Sequence, residues 1–194
     1  MSIVFDKPAR RYRDEKTGKF VTRKSVRETI NRTGDGFRQK AGKLATRLSD
    51  GKISKVKWER EMRQLIKENI IGTASIGKGG RKQITFADWG KAGSAIKKEY
   101  QYLANFAKQT DRLSPLQIIA RSRQYANAGH VAFSQTLMKS QSEIYTEAKR
   151  SLHASESCSG CSSIAGEWMP VDELPKIGDV SPCLSRCRCS IEFR

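Results

Sequence analysis

The residues best equipped for chemistry in this sequence are five cysteines, and all of them fall after position 157: Cys158, Cys161, Cys183, Cys187 and Cys189. They run Cys-x2-Cys, then 21 intervening residues, then Cys-x3-Cys-x-Cys. Clustered thiols serve as metal ligands or as disulfide partners, and the redox setting decides between the two. The start, Met-Ser-Ile-Val-Phe-Asp-Lys-Pro, is too short and too interrupted for a secretory core. The expected setting is therefore reducing, with the thiols available to a metal; disulfides are the alternative after exposure to an oxidising one. Zn²⁺ takes four soft ligands in a tetrahedron, and two close pairs of thiolates supply that geometry. Cys158 and Cys161 form the first pair. The second comes from Cys183, Cys187 and Cys189, with Cys183 and Cys187 preferred and one thiol surplus. Four thiolates leave no open position, so the expected Zn²⁺ is structural rather than catalytic. Arg186 and Arg188 flank Cys187. They either offset the excess negative charge of a metal–thiolate group or only add solubility.

Little else is arranged for catalysis. The two histidines are separate: His130 falls on an apolar helical stripe as a core or groove residue, and His153 closes a helix or serves as a reserve ligand. No Ser-His-Asp order and no pair of acids on one helix face stands out, so the chain is expected not to be an enzyme and to take no small-molecule substrate. Residues 72–78 nearly match a phosphate-binding loop, but Gly79 stands where Ser or Thr would hold magnesium. Asn31-Arg32-Thr33 matches a glycosylation sequon that a cytosolic chain never presents to the enzyme.

Binding is the stronger expectation. Lys+Arg number 37 against 20 Asp+Glu, a formal charge of +17, which suits a polyanion or an acidic protein surface. The excess is densest in the first quarter of the chain. Arg10, Arg11, Arg13, Lys16, Lys19, Arg23 and Lys24 are the expected partner-binding residues. No base-reading motif accompanies them. No apolar run approaches the roughly 20 residues a membrane helix needs, so no membrane partner is expected.

The elements that must position these residues read as mainly α: a bundle of long helices plus a small C-terminal Cys-rich zinc-binding module. Hydrophobic residues are 37% of the chain, below the usual ~45–50%, so the core should be modest. Residues 1–22 read as a basic arm, exposed and either disordered or folded into a small hairpin around Thr17-Gly18, with Tyr12, Phe20 and Val21 on its flanks. Residues 23–153 read as the helical domain. Its expected pieces are residues 25–30, then 35–48 with Phe37, Ala41, Leu44, Ala45 and Leu48 on one face. Next comes a helix after Ser54 carrying Trp58, Met62, Leu65, Ile66 and Ile70. Glycines at 72–82 predict a flexible basic loop. Thr85 with Asp88 predicts a helix start, and Ser114-Pro115-Leu116-Gln117 a second, running to about 152 with Ala126, His130, Phe133, Leu137, Ile144 and Ala148 on one face. Trp58 and Trp89 should anchor the core. Trp168 should pack the module, residues 154–194, against the helices.

Taken in order, several of these segments match a known pattern. Trp58 and Met62 on a helix lead to the Gly-rich loop and Thr85-Phe86-Ala87-Asp88-Trp89-Gly90. Then come Tyr100-Gln101-Tyr102-Leu103, Leu113-Ser114-Pro115-Leu116-Gln117-Ile118 with Ala120-Arg121-Ser122, and finally Cys158-x2-Cys161 with Cys187-Arg188-Cys189. Over roughly residues 50–194 this resembles the phage head-morphogenesis family, the minor head proteins similar to protein F of phage Mu. The resemblance implies a structural minor virion protein of a tailed bacteriophage. Such a protein would be assembled in the host cytoplasm, sit near the portal, and assist head morphogenesis and DNA packaging or retention. Portal or capsid proteins would be its partners, with packaged DNA as a further one. Many members carry His-Pro before the terminal Cys-Arg-Cys. Here Leu184-Ser185-Arg186 stands there, with Cys183 as the replacement ligand. The alternatives are a head–tail connector or capsid-attached protein on the same domain, and a zinc-ribbon nucleic-acid-binding protein.

Overall fold

The computed structural model describes residues 3–152, 158–178 and 189–194. Its framework is mainly helical. Helix α1, Arg23–Ser49, starts where the Thr22 hydroxyl accepts from the Ser25 N–H at 3.1 Å. It is a single helix, not the two pieces expected at 25–30 and 35–48. Gly34 and Gly36 lie inside it, and each costs the helix about 1 kcal/mol relative to Ala. The continuous buried face of Val26, Ile30, Phe37, Ala41, Leu44 and Ala45 overrides that cost.

Helix α2, Lys55–Lys78, is capped by Ser54. Trp58, Met62, Ile66 and Ile70 stand four residues apart and none has any exposed surface. Each such side chain contributes about 1.5–3 kcal/mol of burial before chain entropy is set against it. The expected loop at 72–82 is corrected here. The helix runs on to Lys78 and stops at Gly79, whose left-handed φ of 95° closes it. The small residues that read as loop formers are close-packing positions. A Cβ on Gly77 would lie 2.4 Å from the Phe133 carbonyl oxygen, and one on Gly129 would lie 2.5 Å from the Asn69 amide. Two helix backbones meet there.

Helix α3, Phe86–Ala107, opens with the predicted capping box of Thr85 and Asp88. Helix α4, Pro115–Gln124, opens with that of Ser114 and Gln117. After a break at Tyr125, α5 runs over Ala126–Gln141. The main core joins these helices, with the Trp58 and Phe106 rings edge to face at 5.5 Å. Trp89, expected as a second anchor, is only half-buried and stands outside that core.

The helix does not continue to 152. Residues 147–151 form a strand, so Ala148 is buried in a sheet rather than on a helix face. In chain order the strands are β1 (Ile3–Asp6), β2 (Arg11–Asp14), β3 (Phe20–Val21), β4 (Glu147–Ser151), β5 (Met169–Pro170) and β6 (Ser190–Phe193). They make two antiparallel sheets, β1-β2-β3 and β5-β4-β6. The first sheet ends at Val21 and α1 begins at Arg23, while the second sheet draws strands from both sides of residue 153. The hairpin predicted around Thr17-Gly18 exists, pairing Tyr12 with Val21. It is not an exposed arm, however. Ile3, Phe5 and Tyr12 are buried against Val26, Ile76, Phe133 and Leu137. In the second sheet β5 and β6 both pair with β4.

A buried ionic network ties the first sheet to the bundle. Phe5 N–H donates to the Gly79 carbonyl at 2.8 Å, and Gln83 donates to the Phe5 carbonyl at 2.9 Å. Beside them Lys78, only 4% exposed, lies 3.5 Å from both Asp88 and Glu143. Lys139 reaches Asp88 at 2.7 Å, and Lys7 reaches Glu143 at 3.0 Å. Burial raises the Asp88 carboxyl. Hydrogen bonds from Lys139 and Thr85, with the Lys78 charge, outweigh it and hold the group well below the carboxylate range. Glu143 is also lowered, chiefly by the Lys7 hydrogen bond.

Candidate metal centre

Cys158 precedes a four-residue helix α6, Ser159–Ser162, and caps it with its backbone. The N–H groups of Cys161 and Ser162 donate to the Cys158 carbonyl at 2.9 and 3.0 Å. This single turn holds the two cysteines three residues apart, the spacing of a Cys-x2-Cys metal knuckle. Cys161 is buried and Cys158 half-buried against the same apolar cluster as Met138, Val171, Leu174, Ile177, Ile191 and Phe193. The cluster seats the cysteine turn on α5 and the second sheet.

Strand β4 runs under this turn. Arg150, the fourth of its five residues, has no exposed surface. Its Nη1 lies 3.6 Å from the Cys161 Sγ and its Nη2 donates to the Pro175 carbonyl, while Nε has no hydrogen-bond partner among the described residues. The peptide folds back over Arg150: the Gly166 N–H donates to its carbonyl at 3.0 Å, with Gly166 at a φ of 84°. Arg150 is the residue that sequence reasoning missed. Glu147-Ala148-Lys149-Arg150-Ser151 shows no apolar alternation, so no local signal marks it as a buried strand.

Cys189 enters β6 and is buried in the same cluster. Among the described residues no group of three or more metal ligands assembles, so Cys189 does not join Cys158 and Cys161 as a third ligand there. Cys183 and Cys187 lie outside the described residues, as do His153, Arg186 and Arg188. The second half of the expected ligand set is therefore not described.

The expected partner-binding residues are spread over the first sheet and the start of α1. Lys16, Lys19 and Lys24 are exposed. Arg11 and Arg13 each stack 4.4 Å above the Phe20 ring, and Arg13 also pairs with Asp6 at 2.6 Å. Arg10 and Arg23 flank the Tyr145 ring at 5.9 and 5.8 Å. The arginines thus hold structure as well as charge. Trp168 does not bind the module to the helices as expected: it is half-exposed between Arg194 and Lys149, at 4.4 and 4.9 Å. A cleft of about 800 Å³ lies between α1, α5 and β6, with Arg23, Arg27 and Arg38 on one wall and His130 and Phe133 on another. Among the described residues no helix is long and apolar enough to cross a membrane.

Comparison of the chain with protein-family models, with curated proteins and with solved structures finds no match.

Proposed function

We propose that this chain is a structural minor virion protein of a tailed bacteriophage, associated with the portal and head and acting in head morphogenesis and DNA packaging or retention. The observation that carries the reading is the terminal cysteine pattern, Cys158-x2-Cys161 with Cys187-Arg188-Cys189, at the end of the helical order given above. The seating of the Cys158–Cys161 turn on α5 supports it, because a structural metal there would lock the module to the bundle. The bound ion would be Zn²⁺, supplying folding free energy on the order of 10 kcal/mol to a segment with few large apolar residues. The protein would act through binding, not catalysis, with portal or capsid subunits as partners and DNA as a further one. Its place is the particle, assembled in the host cytoplasm.

The test is the particle itself. Quantitative mass spectrometry of purified virions should find the chain at a fixed copy number, and a cryo-EM map should place it at the portal vertex. Its absence from particles would overturn the proposal. A second reading, a sequence-tolerant nucleic-acid-binding protein with a zinc ribbon, is favoured by one observation, the +17 charge carried partly on the exposed α1 residues Lys40, Lys43 and Arg47. Under that reading the isolated protein binds duplex DNA, and log K falls steeply with log salt concentration.

A further inference from the structure

We propose that Arg150 is the buried counter-charge of a metal–thiolate group at Cys158 and Cys161, and that its charge, rather than its shape, sets the metal affinity of the module. This rests on the metal reading above.

A guanidinium does not lose its proton in a protein, so Arg150 carries its charge wherever the fold places it. The fold places it in β4 with no exposed surface, two residues on from the buried Ala148 and opposite Ile191 of β6. Burying an ion costs several kcal/mol unless an opposite charge and hydrogen bonds offset it. The buried Lys78 meets that requirement, with Asp88 and Glu143 beside it. Arg150 does not. The ion pairs among the described residues leave it out. Among the described residues its side chain has two hydrogen-bond partners, the Pro175 carbonyl and the Cys161 sulfur, and its Nε has none.

Of those neighbours, the Cys161 sulfur is the atom that can bear negative charge. A neutral thiol is a weak acceptor and offers a guanidinium almost nothing. A metal-bound thiolate carries negative charge that a guanidinium can pair with. The arrangement is thus unfavourable without metal and favourable with it. Partners that stand behind metal ligands in this way typically alter affinity by about 10–100-fold when removed.

The experiment uses the full-length protein under reducing conditions, with Co²⁺ as the spectroscopic probe and Zn²⁺ in chelator competition. Wild type, Arg150→Gln and Arg150→Lys are compared. Gln keeps an N–H donor for Pro175 and removes the charge, whereas Lys keeps the charge. Wild type should show the sulfur-to-cobalt charge-transfer absorption. Arg150→Gln should bind Zn²⁺ at least about 10-fold more weakly, while its metal-free form melts no lower than metal-free wild type; Arg150→Lys should stay within about 10-fold of wild type. A merely structural arginine would instead lower the metal-free melting temperature in both variants and leave affinity alone. Equal Zn²⁺ affinity in Gln and Lys variants overturns the counter-charge and leaves the metal reading standing. No charge-transfer absorption in wild type overturns both. If Arg150→Gln does not fold, Arg150→Lys decides, since loss of metal binding with the charge retained also refutes the proposal.

Discussion

Replacing Asp88 by Ala tests the ionic network that joins the first sheet to the bundle. The Asp88 side chain is 6% exposed, and so is that of Lys78, 3.5 Å away. Removing the carboxylate leaves the Lys78 ammonium buried with only Glu143, which is nearly half-exposed. Breaking a buried pair from one side costs about 3–5 kcal/mol. The same change removes the α3 capping box, worth about 1 kcal/mol. For a chain of this size each kcal/mol lowers Tm by about 2–4 °C, so a fall on the order of 10 °C is expected. Lys139→Ala is the control. It deletes the shorter contact to the same carboxylate, 2.7 Å, but from a side chain 38% exposed, so it should cost only about 1 kcal/mol. The pH dependence has a definite sign. Asp88 is held below its usual range when folded, so the unfolded chain takes up the proton first as pH falls. The stabilisation is complete above about pH 5 and is lost progressively below about pH 4. Urea unfolding of the three proteins at pH 7 and pH 3.5 measures all of this. An Asp88→Ala cost under about 1 kcal/mol at pH 7, or one equal to that of Lys139→Ala, would refute the reasoning.

Glycine substitutions should divide by their surroundings. Gly77→Ala drives a Cβ to 2.4 Å from the Phe133 carbonyl, so α2 and α5 must separate and Tm must fall sharply. Gly90→Ala meets nothing within 4 Å on an exposed helix and should stabilise by up to about 1 kcal/mol, both read by thermal unfolding. Trp58→Ala empties a fully buried site against Phe106 and should cost about 3–5 kcal/mol in urea titrations. Deleting residues 1–22 strips Ile3, Phe5 and Tyr12 from Val26, Phe133 and Leu137, so the truncated chain should melt earlier and bind a hydrophobic dye; unchanged melting would show that the sheet does not support the helices.

The sequence by itself determined the features that neighbours in the chain decide. The capping boxes at Thr85 and Ser114 and the stripe from Trp58 to Ile70 are legible, because each depends on residues within a few helical turns. What residues do when their partners are remote was decided by the tertiary structure alone. Gly77 is a breaker in isolation and a helix contact once the Phe133 backbone arrives. Residues 1–22 are polar on average, yet their few apolar side chains find a floor that α1 and α5 supply. Ile144 and Ala148 have helical spacing, but β4 forms because β5 and β6 offer backbone partners on both sides. Arg150 is an ordinary charged residue in the sequence, and it becomes a buried cation beside the Cys161 sulfur only because that sheet closes over it. Backbone pairing and burial are properties of the assembled chain, and no local pattern of side chains encodes them.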